Sequence, residues 1–168
     1  VALISSITDG SPGQAGAMSA TATTSLTIRA VNDAPTVAGA TSFVVTEDEQ
    51  GPLSGIRFDD VDAESADVTA TFSVGGGSLL ASSGQGVQAT GDGRTVTLQG
   101  SLSNINAFIA EGRLSFRTDP DATDDVRLDI GINDNANSGS GSALSAQTRG
   151  TIIVIGVNDA PRLVSAPT

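Results

Sequence analysis

Apolar and polar residues alternate with a period of two over several parts of the chain. The longest run starts at position 126, and its apolar members are Val126, Leu128, Ile130 and Ile132. Such a period places one face of a β-strand in a core and the other in solvent. Three further runs have the same pattern. Their apolar members are Val68, Ala70, Phe72 and Val74, then Val96 and Leu98, then Leu114 and Phe116. The pattern predicts a mainly β-stranded protein.

Glycine-rich segments separate these runs. GGG at 75–77 and GDG at 91–93 are both turn sequences, and Gly93 at positive φ would close a tight hairpin. Seven or so short strands with regular turns favour an all-β Greek-key sandwich of the immunoglobulin type.

One segment has a different period. Between positions 101 and 112 the apolar residues recur at helical intervals, at Leu102, Ile105, Phe108 and Ile109. Ser101 is a suitable N-cap and Gly112 a suitable stop. The segment therefore predicts one short helix near 102–110, with its apolar side covering the core.

Composition excludes several classes of function. Nineteen acidic residues face eight basic ones, all Arg, and the net charge is −11. Nucleic acids and anionic lipids bind positive surfaces, so we expect neither as a partner. Because the chain has no Cys and no His, it has no disulfide, no Ser-His-Asp triad and no imidazole or thiolate site for zinc. The acidity fits a solvated surface or a site for a hard cation.

No segment has the apolar length of a membrane span. The nearest is TIIVIGV at 151–157, far below the 18 residues or more that a transmembrane helix requires. Residues 1–20 lack the pattern of a signal peptide. We therefore expect no membrane insertion, and the sequence reads as a piece of a longer chain.

The chain contains an internal repeat. Residues 1–35 align with residues 126–161 with a single insertion, and each copy ends in VNDAP. Both copies consist of an alternating strand, an Asp, a Gly/Ser-rich loop, a second strand and the NDAP segment. In that segment, Pro35 and Pro161 fix φ and bias the residue before them to an extended backbone. The repeat predicts three parts: 1–35 as the C-terminal hairpin and linker of one repeat, 36–161 as a complete repeat, and 162–168 as the start of the next.

Carboxylates cluster at the predicted strand ends. The clusters are TEDE with Glu47, DDVDAE with Asp60 and Asp62, TDPDATDD with Asp119 and Asp121, INDN with Asp134, and the two NDAP segments with Asn32, Asp33, Asn158 and Asp159. Single Asp and Asn residues in loops are usually turn formers. Groups drawn from several strand ends, however, can supply the six to eight oxygen ligands of Ca²⁺.

The order of these motifs resembles that of a cadherin repeat. Glu, then Asp-x-Asp, then a second Asp-x-Asp, then a strand ending in Asp, then Asn-Asp-x-Pro follow one another over 36–161, and VNDAP resembles the cadherin-like tandem repeats of large bacterial RTX-type surface adhesins. The sequence departs from the family in two places. Pro120 and Asp121 stand where the family has Arg and Glu, and the first Asp of its linker is replaced by Ala30 and Gly156.

The resemblance implies a division of the ligands between two ends of the domain. Those facing the following repeat would be Glu47, Asp119, Asp121, Asn158 and Asp159. Those facing the preceding repeat would be Asn32, Asp33, Asp60, Asp62 and Asp134. It implies a cadherin-like sandwich, Ca²⁺ as the cofactor and neighbouring repeats as partners. The function it implies is that of a non-enzymatic, calcium-stiffened extender or adhesion module, extracellular or on the bacterial cell surface, with a host or biofilm ligand as a possible further partner.

Two other hypotheses stay open. One is a β-sandwich module that binds carbohydrate or protein, although sugar platforms normally expose Trp or Tyr and this chain has neither. The other is a glycosidase that works through paired carboxylates such as Asp119 and Asp121.

Overall fold

The computed structural model describes residues 1–8, 18–63, 65–137 and 139–161, which fall into two compact units. The first unit is Val1–Ala30, and the second begins at Val31. Most elements are β-strands in several sheets, and the described residues include one short α-helix. The predicted all-β sandwich class with a short helix is confirmed.

The first unit is a two-stranded antiparallel hairpin. Strand β1 (Ala2–Thr8) pairs with strand β2 (Ser19–Ser25) through seven residue pairs. Its apolar side chains are exposed: Leu3 is 69% and Ile7 is 74% accessible to solvent. The hairpin therefore has the sequence of a half-buried sheet, but its described residues, 1–8 and 18–30, bury no apolar side chain.

The second unit contains eleven described strands and the helix. The strands are β3 (Thr36–Gly39), β4 (Ser42–Thr46), β5 (Gln50–Pro52), β6 (Ile56–Asp59), β7 (Asp67–Val74), β8 (Ser78–Leu80), β9 (Gln88–Gly91), β10 (Thr95–Ser101), β11 (Ser115–Arg117), β12 (Val126–Asn133) and β13 (Ser145–Ile155), and α1 is Leu102–Ala110. They form a six-stranded sheet in the order β4-β13-β12-β7-β10-β9, a three-stranded sheet β5-β11-β8 and a pair β3-β6. Strands β4 and β13 are parallel, and the other described pairs are antiparallel.

The core lies between the six-stranded sheet and the smaller sheets. Every second residue of β7 and β12 points inward and is buried, as the two-residue period predicts. Phe58 on β6 packs against Phe72 on β7, with ring centroids 6.1 Å apart. Phe116 on β11 is also fully buried. Few aromatic and many β-branched side chains fill this core, which suits the pleated faces of sheets.

Helix α1 closes one side of the core. The Ser101 hydroxyl accepts a hydrogen bond from the Asn104 N–H at 3.3 Å and caps the first turn. The chain leaves the helix at Gly112, which has a φ of +71°. Three side chains of the helix are fully buried, namely Ile105, Phe108 and Ile109. The predicted helix, its cap and its role as a cover of the core are confirmed.

The hairpin of the first unit has the same register as the β12–β13 hairpin. Ala2 pairs with Ser25, and the residues aligned with them in the internal repeat, Arg127 and Thr151, also pair. The equivalence continues to the end of the strands, where Thr8 pairs with Ser19 as Asn133 pairs with Ser145. In β12, however, Leu128 is fully buried, whereas the aligned Leu3 is exposed. The two hairpins thus have the same strand pairing, but the apolar face is buried in one and exposed in the other.

Hydrogen exchange will test this difference. We expect the amides of β1 and β2 to exchange roughly a hundred-fold faster than those of β12 and β13, because an isolated hairpin is marginally stable in water. The measurement is residue-resolved exchange in a dilute sample that sedimentation shows to be monomeric. Equal protection of the aligned amides of Ile4 and Asp129 in that monomer would contradict the expectation.

Glycine is required at position 77, where the chain enters β8. Gly77 has a φ of +69°, and a Cβ there would clash with the Phe116 ring and lie 2.5 Å from the Arg117 carbonyl oxygen. We predict that Gly77→Ala lowers the free energy of unfolding by roughly 2–4 kcal/mol, through backbone strain and overpacking. Gly75→Ala is the matched control, since a Cβ at Gly75 meets no atom within 4 Å. Urea denaturation of both variants checks this, and an equal loss in both would show the explanation to be wrong.

Candidate metal centres

Three carboxylates converge where β13 ends. Asp48, Asp121 and Asp159 each offer one oxygen, and these oxygens lie within 4.8 Å of one another. Asp48 lies in the turn between β4 and β5, Asp121 follows β11, and Asp159 follows β13. All three are exposed. We term Asp48, Asp121 and Asp159 the exit cluster, because they lie where the chain leaves β13, the last described strand.

Partial desolvation and neighbouring negative charges perturb the pKa of Asp159. Partial desolvation raises the pKa of Asp159, and the negative charges of Asp121, Glu47 and Asp48 raise it further. A cation between these groups would favour their charged forms and reverse the effect. The electrostatics of the exit cluster therefore suit a bound cation.

Glu47, which precedes Asp48 in the chain, positions the backbone next to the exit cluster. Its side chain is buried, and its Oε2 accepts a hydrogen bond from the Val157 N–H at 2.8 Å. Its own N–H donates to the Ile155 carbonyl at 2.9 Å. Glu47 thus fixes the backbone that leads from β13 to Asp159.

Two other predicted ligands at this end lie outside the exit cluster. One carboxylate oxygen of Asp119 accepts hydrogen bonds from the Gly77 N–H at 3.0 Å and from Arg94 at 3.1 Å. The Gly77 N–H and the guanidinium of Arg94 lower the pKa of Asp119. Asn158 is exposed, and its side-chain amide donates to the Asp159 carbonyl at 3.4 Å.

The predicted ligands of the opposite end also come together. The Asp33 N–H donates to Asp62 Oδ2 at 2.6 Å, and the Asp62 N–H donates to Asp60 Oδ1 at 2.9 Å. The other oxygen of Asp60 is buried and has no hydrogen-bond partner among the described residues. A buried carboxylate oxygen without a donor is costly, and a cation would compensate for it.

Asp134 and Asn32 complete this second group. Both are buried, and the Asn32 side-chain amide donates to Asp134 Oδ2 at 2.6 Å. Asp134 Oδ1 accepts from the N–H groups of Ala136 and Leu144 at 2.9 and 2.8 Å. Desolvation raises the pKa of Asp134, but the hydrogen bonds from Ala136, Asn32 and Leu144 outweigh it and hold the pKa below its ordinary value. Asp134 is therefore a buried carboxylate that two backbone N–H groups and the Asn32 amide satisfy.

The two groups lie at opposite ends of the β12–β13 hairpin. Asp134 follows the end of β12 and Asp159 follows the end of the antiparallel β13. We term the residues at the first of these ends the entry cluster. They are Asn32, Asp33, Asp60, Asp62 and Asp134. The structure thus brings predicted ligands together at each end, except that Asp119 is turned toward Arg94, Asn158 lies outside the exit cluster and Glu47 bonds to the backbone of Val157.

Sequence reasoning missed Asp48. It stands next to Glu47 in TEDE, but nothing in the sequence distinguishes the two carboxylates. The distinction arises in the turn: Asp48 has a φ of +60°, which directs the chain around the corner from β4 to β5. Asp tolerates this left-handed conformation better than most residues.

The donor set of both clusters is entirely oxygen. Carboxylates, amides and carbonyls are the ligands that hard cations take, and Ca²⁺ accommodates irregular arrangements of them. Asp48, Asp121 and Asp159 fit such an ion, and so does the buried oxygen of Asp60.

Comparison with known proteins adds no assignment. No protein-family model matches the chain, and no curated protein matches it. In the described part of the chain, no helix combines the length and the apolar character needed to span a bilayer.

Stability measurements will test the role of Asp134. We predict that Asp134→Ala lowers the free energy of unfolding by roughly 2–4 kcal/mol in chelator at pH 7, because three donors lose a charged acceptor. Since the pKa of Asp134 is lowered in the fold, its stabilising contribution is present above the ordinary Asp pKa of about 3.9 and is lost as the pH falls through the folded pKa.

Asp124→Ala is the control for this experiment. Asp124 is an exposed carboxylate outside both clusters, and its removal should change stability by less than about 0.5 kcal/mol. Urea denaturation as a function of pH is the measurement. If the loss of unfolding free energy caused by Asp134→Ala stays constant down to the lowest pH, the charge of Asp134 is not what stabilises the fold.

Proposed function

We propose that this chain is part of a calcium-binding extender or adhesion module, without enzymatic activity, in a secreted or cell-surface bacterial protein built from cadherin-like tandem repeats. The observation that carries the proposal is the exit cluster, where carboxylates from three separate loops meet beside the VNDAP segment. Like charges gathered at a chain exit destabilise the native state unless a cation joins them.

The entry cluster supports the same proposal. Asn32 and Asp33 belong to the first VNDAP copy, and both are bonded to acidic side chains of the second unit. Asn158, the residue aligned with Asn32 in the second copy, is exposed. Under the proposal, Asn158 would bind the next repeat in the way that Asn32 binds Asp134.

The shared hairpin register supports tandem repetition. Two segments that align in sequence and pair in the same register are expected of successive copies of one repeat unit. The exposed apolar face of the first hairpin would then be covered by the rest of its own repeat. This reading also assigns a role to the linkers, which would join one sandwich to the next.

The residues that would hold Ca²⁺ belong to two groups. Asp48, Asp121 and Asp159 would bind an ion at the exit, with Glu47 as a buried support. Asp60, Asp62, Asp33 and Asp134 would bind at the entry, beside Asn32. A bound ion would neutralise repelling carboxylates and stiffen the linker, so that the array keeps its reach.

A calcium titration tests the proposal. Each cluster in this chain would hold only part of a joint, so we predict dissociation constants on the order of 10⁻⁴–10⁻³ M, as in extracellular modules. At about 100 times that constant, binding to the native state stabilises by roughly 2.7 kcal/mol per site. Calorimetry and thermal melting with Ca²⁺ and with chelator measure both quantities. An unchanged melting temperature in saturating Ca²⁺ would overturn the proposal.

A charge-removing variant tests the exit cluster itself. Asp121→Asn should raise the melting temperature in chelator, because it removes one of the negative charges that, after desolvation, raise the pKa of Asp159. The same substitution should also reduce the rise in melting temperature that Ca²⁺ causes. Asn is suitable because Asp121 has a φ of +56°, which Asn tolerates. Asp124→Asn is the control and should change neither measurement.

A longer chain with a complete repeat on each side tests the mechanical role. We expect it to bind Ca²⁺ more tightly and to become more extended in small-angle X-ray scattering. The Asp60→Ala/Asp62→Ala variant of this longer chain should lose the gain in Ca²⁺ affinity and extension at the joint that contains its entry cluster. It should keep the gain at the joint that contains its exit cluster. Identical scattering in Ca²⁺ and in chelator would show that the carboxylates do not stiffen the linker.

A further inference from the structure

A groove crosses the outward face of the six-stranded sheet, away from both clusters of carboxylates. It has a volume of about 800 Å³ and is lined by side chains of β7, β12 and β13. The polar side chains that line it include Thr71, Ser73, Arg127, Asp129, Gln147 and Arg149. These groups are hydroxyls, an amide, two guanidinium groups and one carboxylate.

The ionised side chains in this groove have a net positive charge, whereas the chain as a whole has a net negative charge. Arg127 contacts Asp129 Oδ1 through Nη2 at 2.5 Å and through Nε at 3.0 Å, and Arg149 contacts the same oxygen through Nε at 3.3 Å. Two cations therefore share one carboxylate, and the triad has a net charge of +1 on a chain of −11. Each guanidinium carries five N–H donors, more than one carboxylate can accept.

The floor of the groove is a glycine in the middle of a strand. Gly131 pairs with Thr71 on one side and with Gln147 on the other. A Cβ at Gly131 would meet Gln147 Cγ at 3.6 Å, an ordinary van der Waals contact. The fold therefore does not require glycine here, and its absent side chain leaves the groove open.

The groove is not part of the repeat framework. In the aligned hairpin of the first unit, Arg127 corresponds to Ala2, Asp129 to Ile4 and Arg149 to Thr23. Leu128 and Ile132 have the apolar counterparts Leu3 and Ile7, and the VNDAP segment occurs in both copies, but these outward residues differ. Stiffening a linker does not need them, which indicates a separate role for this face.

We propose that this groove binds an acidic polysaccharide, with a sugar carboxylate on Arg127 and Arg149 and sugar hydroxyls on Thr71, Ser73 and Gln147. Arginine forks bind carboxylates through paired, charge-assisted hydrogen bonds. Hydroxyl and amide side chains provide both donors and acceptors for a polyhydroxylated ligand. Such a polysaccharide would be an adhesion target of the proposed module, so this inference rests on the proposed function. Its binding would not require the calcium sites.

The position of the groove favours a sugar over an acidic peptide. Strands β7 and β12 are interior strands of the sheet, whereas Gln147–Arg149 of β13 pair with β12 alone, because β4 pairs with β13 only from Thr151 onward. A peptide that paired with this open edge of β13 would lie in the plane of the sheet, beside the groove and not across its outward face. Ile130 is the one apolar side chain in the lining, and it is almost fully buried, so the groups that a ligand would meet are mainly hydroxyl, amide and guanidinium groups, which suit a polyhydroxylated chain.

The experiment compares three probes by calorimetry in chelator. Tetragalacturonate supplies sugar carboxylates, maltotetraose supplies hydroxyls alone, and hexaglutamate supplies carboxylates on a peptide. We expect tetragalacturonate to bind at least ten-fold more tightly than either of the others, and to bind more weakly at high salt. Because the assay contains chelator, its failure and the failure of calcium binding are independent results.

Variants locate the site. Arg149→Gln and Arg127→Gln should each weaken tetragalacturonate binding by about ten-fold or more, and Gly131→Gln should block the groove. Arg57→Gln removes an exposed Arg on β6, outside the groove, and should leave binding unchanged. Melting curves verify that each variant is folded. No binding of tetragalacturonate, equal binding of maltotetraose or hexaglutamate, or an equal loss in Arg57→Gln would overturn the proposal.

Discussion

Burial of the inner faces of the sheets determines where this protein places its charges. The core includes Val, Ile, Leu and Phe side chains from β7, β12, β6, β11 and α1, and an apolar core strongly disfavours an unpaired carboxylate. Along a strand, every second position is inward and apolar, so acidic residues are confined to the outer face and to the strand ends. Strand ends meet at the ends of the sandwich. Carboxylates that are far apart in sequence, such as Asp48 and Asp121, therefore become neighbours.

Two buried acids are exceptions, and each holds one copy of the linker. Asp134 accepts hydrogen bonds from Asn32 and from two backbone N–H groups at the entry. Glu47 accepts one from the Val157 N–H at the exit. Buried charges are tolerated when hydrogen bonds satisfy them, and here the donors lie on the segments that would join successive repeats. Part of the linker geometry thus comes from the protein and does not require an ion.

Local patterns in the sequence predicted the elements well and the side-chain contacts less well. The helix at Leu102–Ala110 followed from apolar spacing between a cap and a glycine, since both signals act within a few residues. The diversion of Asp119 toward Arg94 depends on two loops that meet only in the fold. The same holds for Asp48, whose place in the exit cluster depends on a left-handed turn. Such contacts join residues distant in sequence, and no local pattern encodes them.

The inner and outer faces of the same strands are subject to different constraints. Inward positions of β12 must fill the core, so Leu128 has an apolar counterpart, Leu3, in the first hairpin. Outward positions face solvent, and there Arg149 and Thr23 occupy equivalent places with the same strand pairing. A change on the outer face would alter the chemistry of that surface and leave both the core and the carboxylate clusters intact. An array of such repeats would therefore combine one mechanical framework with binding surfaces that differ from repeat to repeat.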